Sequence, residues 1–142
     1  MIVDERLVTY INSLDRVNTP FLNQLEMDAL KDQVPVIRRE TQSLLKVLLT
    51  IKMPSRILEV GTAVGFSALL MSTYAPENCR ITTIENYDKR IPIARENFKK
   101  AGKEEQITLL EGDAREILKT LEGPFDFIFM DCLLYTSPSP RD

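Results

Sequence analysis

Apolar residues recur at three- and four-residue spacing along the first third of the chain and in short unbroken runs along the rest. Leu7, Val8, Ile11 and Leu14 fall on one face of a helix predicted over 4–14. Asn18-Thr19-Pro20 supplies a cap and a proline suited to a first helical position, and Phe21, Leu22, Leu25 and Leu30 continue a second amphipathic stretch. Val34-Pro35 is expected to end it, because a residue before proline resists helical geometry. Leu44, Leu45, Leu48 and Leu49 predict a third helix over 38–52, stopped before Pro54.

From Arg56 the texture changes. Ile57-Leu58-Glu59-Val60 is short and mostly apolar, as a parallel strand covered on both faces should be. The β-branched run over 80–85 predicts a second strand, 107–110 a third and 125–130 a fourth. Helices are predicted between them over 66–74, from an Asp88 cap to about Ala101 with Gly102 as its stop, and over 113–121. Helices followed by β-α-β-α-β-α-β argue for an α/β fold with a doubly wound parallel sheet. The expected division is an N-terminal helical segment (1–53), an α/β half-domain (54–131) and a tail (132–142).

Composition narrows the chemistry. The 142 residues contain no histidine, which removes Ser-His-Asp triads, Cys-His dyads and His-ligated zinc. Two cysteines, Cys79 and Cys132, are too few for a disulfide framework and suggest a reducing cytoplasm. The net charge of -3 offers no whole-chain attraction to nucleic acid or membrane. No apolar run approaches the ~20 residues of a membrane span. The first residues carry acids where a signal peptide would be basic and then apolar.

Ligands of such sheets sit at the carboxyl ends of the strands, so the residues that follow each strand matter most. After the first comes Glu59-Val60-Gly61-Thr62-Ala63-Val64-Gly65-Phe66-Ser67. Gly61 permits a tight turn and close approach of a ligand, and the helix starting near Gly65 presents free N–H groups to the same crevice. At the tip of the second strand Glu85 can accept hydrogen bonds from ribose hydroxyls. The glycine spacing is G-x-x-x-G, not the G-x-G-x-x-G of dinucleotide sites. Glu59 would sit badly against a pyrophosphate and suits a cationic ligand, which favours S-adenosylmethionine over NAD. Asp113 is a candidate acceptor for an adenine amino group, with the Ala114 N–H beside it, and equally a helix cap. Ser67 is either a first-turn hydroxyl or a ligand contact.

These residues resemble the cation-dependent class I O-methyltransferases, the group of catechol O-methyltransferase and its bacterial relatives. The resemblance is carried by Arg56 to Ser67, by Ile81-Thr82-Thr83-Ile84-Glu85, by Glu111-Gly112-Asp113-Ala114 and by Phe125 to Asp131, and covers most of 34–131. Val34-Pro35-Val36-Ile37 resembles a segment of bacterial members most similar to a tRNA 5-hydroxyuridine methyltransferase. The resemblance implies a Rossmann-like fold and roles for single positions. Glu59, Gly61 and Ser67 would hold the methionine end of the cofactor, Glu85 the ribose, and Asp113 and Ala114 the adenine. Ile37 would line the pocket from the preceding helix. Asp131 would be the first ligand of a magnesium ion that activates the acceptor oxygen. The acceptor would be a small phenol of catechol type or a hydroxylated uridine in tRNA. Arg38, Arg39, Lys46 and Lys52 would be an RNA patch or simply a solvated helix face. The full-length parent would be a homodimer.

After Asp131 the resemblance stops. Residues 132–142, Ser- and Pro-rich at their end, back-translate to a string that resembles a transposase sequencing adapter read in frame. The expectation is a library artefact that truncates the sheet before its later strands, leaving a chain that is poorly soluble and without turnover by itself. A Ser/Pro-rich disordered terminus is the other reading. Two further function classes stand against the methyltransferase: a NAD-type half-domain and a non-catalytic interaction module.

Overall fold

The computed structural model describes residues 4–14 and 18–131. Three helices come first: α1 (Glu5–Ser13), α2 (Pro20–Lys31) and α3 (Arg39–Lys52). Then strands and helices alternate: β1 (Arg56–Val60), α4 (Phe66–Tyr74), β2 (Arg80–Glu85), α5 (Ile91–Lys100), β3 (Ile107–Glu111), α6 (Ala114–Ile117) and β4 (Phe127–Met130). The expected α/β architecture is therefore present. The adapter reading of 132–142 lies outside the described residues.

All strand pairs are parallel, in the order β3-β2-β1-β4. The chain builds outward from β1 to β3, then returns across β1 to lay down β4. The switch point lies between β1 and β4, and the strand tips there open toward one end of the sheet.

Side-chain alternation assigns the two faces. Ile57, Ile81, Ile107 and Leu109 join residues of α2, α3, α4 and α5 in one large core. Leu58, Val60 and Ile84 point the other way and meet Ala114 of α6, with Leu110, Ile117, Leu121 and Phe125 around them. The β1 register pairs Glu59 with Thr83 of β2, so these two polar side chains lie together on the large-core face. Among the described residues β4 is a sheet edge. Its Phe127 and Phe129 pack on the large core, while Ile128 and Met130 are 58% and 50% exposed on the other face.

Several local expectations change. The second helix ends at Lys31, before Val34-Pro35: Gln33 takes a left-handed φ of 60°, and the N–H groups of Gln33 and Val34 return to the carbonyls of Leu30 and Ala29. This is a Schellman closure, with glutamine where glycine is usual. Asp88 does not cap α5. The Tyr87 carbonyl accepts from Arg90 and Ile91, so a backbone turn starts the helix and Arg90 is its cap residue. The last helix is shorter than 113–121. On α1, Leu7, Tyr10, Ile11 and Leu14 are exposed, and on α3 Leu45 and Leu49 are buried while Leu44 and Leu48 are not. Lys46 is not on a solvated face: it is 8% exposed, with its ammonium 5.4 Å from the Tyr74 ring centre.

One contact at the far end of the sheet has no local signature. Asp126, just before β4, accepts the N–H groups of Ser55 and Arg56, each at 2.9 Å. These two bonds stitch the start of β4 to the start of β1 and hold the Asp126 carboxyl below its ordinary range.

Candidate functional site

At the carboxyl ends of the strands lies a cavity of about 480 Å³, within the ordinary size of a small-molecule site. Four chain segments meet there: the connector of Pro35, Val36 and Ile37, the β1 loop from Gly61 to Ser67, the β2 tip from Glu85 to Tyr87, and the β3 tip from Gly112 to Arg115. Asp131 completes the lining from the end of β4.

The β1 loop is built from backbone geometry that its sequence permits. Gly61 and Gly65 both have φ of 93°, a region open to glycine, and Ala63 sits at φ 50° between them. A side chain at Gly65 would also collide: its Cβ would lie 2.7 Å from Cε1 of Phe98 in α5. The same helix supports the loop through Asn97, whose Nδ2 donates to the Val64 carbonyl at 2.7 Å. Backbone bonds knit neighbouring tips together, from the Gly61 N–H to the Ile84 carbonyl (2.8 Å), from Gly112 to Glu85 (3.0 Å) and from Asp131 to Val60 (3.1 Å).

Glu85 is the best-held acid of the pocket. Its Oε1 accepts the Ala63 N–H at 2.7 Å, and its Oε2 accepts the N–H groups of Asn86 and Tyr87 at 3.2 and 3.1 Å. A carboxylate offers about four lone-pair positions, so about one remains for a ligand hydroxyl. Asp113 is a helix cap, accepting the Arg115 N–H at 2.8 Å, and it also pairs with the Arg115 guanidinium at 2.7 Å. Those contacts hold its carboxyl below the usual range. Ala114, the first helical residue, is 4% exposed and has an N–H with no acceptor inside its helix.

Glu59 is placed differently from the expectation. It does not line the pocket but lies fully buried beneath it. Its Oε1 accepts from Thr83 at 2.6 Å, and its Oε2 accepts from the Ser67 hydroxyl. Burial pushes the carboxyl up to about 7, against the pull of these hydroxyls, and the charge of Asp131 adds to the rise. Ser67 is a first-turn hydroxyl turned inward to Glu59, on a residue that also lines the pocket. Glu59 and Glu85 nonetheless rise from neighbouring strands on the same face, with Thr83 between them.

Ile37 does line the pocket, but not from a helix. It lies in the connector between α2 and α3, where the Arg38 cap residue is extended at ψ 157°. Asp131 is exposed at the pocket edge. No group of three or more His, Cys, Asp or Glu that could hold a metal exists among the described residues. One carboxylate is not the ring of oxygens that magnesium prefers, so the described residues do not by themselves fit the ion. A sulfonium nucleoside fits better. Beside the acids and open N–H groups, the Thr62 hydroxyl lines the pocket while 2% exposed, and it also acts on the Glu59 carboxyl beneath.

Sequence reasoning missed Asn97, Phe98 and Tyr87. Asn97 and Phe98 read as ordinary positions of an amphipathic helix, and only the packing of α5 under the loop reveals them.

Known proteins share this arrangement. The SAH-bound methyltransferase PaMTH1 of Podospora anserina superposes with a TM-score of 0.81 at 32% identity, over 90% of this chain and 56% of that one. The O-methyltransferase TomG of Streptomyces achromogenes, solved with SAM, gives 0.77 at 27% identity, over 93% and 63%. A catechol O-methyltransferase of Niastella koreensis is 36% identical over 91 residues, 61% of this chain and 41% of that protein. The chain thus spans about half the length of the relatives it matches. Across nearly all of what it does span, residues 12–134, its sequence fits the O-methyltransferase family profile, and with the fold in agreement the chain belongs to that family.

Proposed function

We propose that this chain forms the S-adenosylmethionine-binding part of an O-methyltransferase whose acceptor is a hydroxyl on a small phenol of catechol type. The observation that carries the reading is Glu85: an acid held by three backbone N–H groups, facing a cavity whose other walls are the glycine-turned β1 loop and the Asp113–Ala114 turn. SAH and SAM occupy two of the similar structures, which supports the same ligand here. The catechol activity of the Niastella protein supports the acceptor class.

When bound, S-adenosylmethionine would supply a methyl group on a positively charged sulfur. The chain's own residues orient it. Glu85 would accept from a ribose hydroxyl. The Ala114 N–H and the Asp113 turn meet the adenine edge. Gly61 lets the methionine end lie against backbone, and the lone pairs of Ser67 can accept from its ammonium while its hydroxyl keeps donating to Glu59. Glu59 then acts from behind the wall, as a buried acid whose negative charge a cation above it would favour. Bound there, the cofactor would supply the methyl group for in-line transfer to an acceptor oxygen, its sulfur left as a neutral thioether and the hydroxyl proton passing to water or a base. What the pocket contributes is alignment. Asp131 stands where the family resemblance implies a cation ligand. It supplies one carboxylate, and other donors would come from outside the described residues.

A hydroxylated uridine in tRNA is the second acceptor. It is favoured by the Val34–Ile37 resemblance and weakened by Lys46, one of four basic candidates, being buried. We also propose that the full-length protein pairs as a homodimer. The exposed stripes of α1 (Leu7, Tyr10, Ile11, Leu14) and α3 (Leu44, Val47, Leu48, Ile51) support it, and light scattering tests it. No described helix is long and apolar enough to cross a membrane. Calorimetry with SAH and NAD tests the cofactor. Binding of SAH, lost in Glu85→Ala, is expected. Binding of NAD alone, or of neither, overturns the reading.

A further inference from the structure

Gln42 is 0% exposed in α3, a costly place for an amide unless every group is matched. Its Nε2 donates to Oε2 of Glu26 in α2 at 2.8 Å and to the Ile37 carbonyl at 2.9 Å. Its Oε1 accepts from Nδ2 of Asn18 at 3.0 Å. An aliphatic side chain would fill the space between α2 and α3 equally well. What an aliphatic side chain cannot do here is hold a backbone carbonyl of the segment Pro35-Val36-Ile37, which forms one wall of the pocket.

That wall is fastened at both ends. On its N-terminal side the Schellman closure ties Val34 to the Ala29 carbonyl at 2.8 Å. On its C-terminal side the Gln42 amide ties down Ile37. Between them Pro35 has no N–H to offer. The wall is therefore a short span of chain whose position is set by two clamps, and the second is a side chain that also reads the placement of α2 and of Asn18.

We propose that Gln42 is a positioning residue for the cofactor pocket: by holding the Ile37 carbonyl it fixes the wall of Pro35, Val36 and Ile37 against which the nucleoside ligand lies. The inference rests on the S-adenosylmethionine reading for its ligand, but the clamp itself is independent of it.

The test uses residues 1–142 and two readouts: hydrogen exchange across 33–38 without ligand, and calorimetric titration with SAH. Gln42→Met keeps the side chain's length and removes its donors. It is expected to speed exchange in 33–38 by about tenfold while β1 and β2 stay as in the parent, and to weaken SAH by about tenfold, the scale of one lost buried hydrogen bond. Asn18→Ala breaks the other end of the amide and spares Ile37. It is expected to lower the thermal midpoint while SAH affinity stays within about twofold of the parent. Gln42→Leu, of similar volume, uncharged and without donors, carries the same expectation should Gln42→Met fail to fold.

Unchanged exchange in 33–38 on loss of the Gln42 donors overturns the proposal. So does a loss of SAH affinity that follows the thermal midpoint equally in the Gln42 and Asn18 variants, which is what plain destabilisation predicts. A parent chain that binds no SAH, with exchange in 33–38 still governed by Gln42, overturns the cofactor reading and leaves the clamp standing.

Discussion

The two faces of the sheet are built unequally. One is covered by residues from α2, α3, α4 and α5, in a core that includes the fully buried Leu70, Met71 and Ile57. The other has three buried strand residues against Ala114 of α6, and on β4 it leaves Ile128 and Met130 in the open. Both faces are equally apolar in sequence. The difference lies in how much helix the described chain lays against each, and it teaches that alternation in a strand sets only which side chains share a face. An exposed apolar edge of this kind is also a template for unwanted pairing.

The largest expected effect sharpens that contrast. Leu70→Ala should cost about 2–5 kcal/mol, as cavities in tight cores do, whereas Ile128→Ala should stay within about 0.5 kcal/mol. Denaturant midpoints check both, and equal costs would break the comparison. Next comes the loop that the large-core face supports. Gly65→Ala adds a Cβ at φ 93° and 2.7 Å from Phe98, for an expected loss of about 3 kcal/mol with weaker SAH binding. Gly102→Ala, at φ 69° with nothing within 4 Å, should cost only the conformational part, about 1 kcal/mol.

The pH dependence of Glu59 follows. Its folded carboxyl is raised from 4.5 to about 7, so the native state keeps a proton that the unfolded chain releases. Stability from this group is complete below 4.5, falls as pH rises through 4.5 to 7, and levels off above. The total is of order 3 kcal/mol. Glu59→Gln should flatten that slope in melting experiments from acid to neutral pH, and an unchanged slope would place the titrating group elsewhere. The smallest effect belongs to the thin face. Asp113→Ala removes the cap of α6 and should cost about 1 kcal/mol by chemical denaturation.

Much of this was legible from sequence. The range 80–85 reads as a strand and is one, because a β-branched run buried on both faces leaves few alternatives. Gly61, Glu85, Asp113 and Asp131 were placed at strand tips because a strand's end is a local property. Other features had no local trace. Gln42 finds Asn18 and Glu26 on other elements, and Asp126 finds Arg56 seventy residues away. Lys46 reads as a solvated base until Tyr74 packs beside it.

Sequence alone determined which residues gather at the mouth of the sheet, since chain order and strand length fix every tip. Tertiary structure decided what each acid there does. Glu85 stands at the last position of β2 and faces the cavity. Glu59 stands one residue inside the end of β1, where Ser67 from α4 and Thr83 from β2 close over it. Two positions of register separate an open carboxylate from a sealed one, and only the packing of a helix onto that strand can tell them apart.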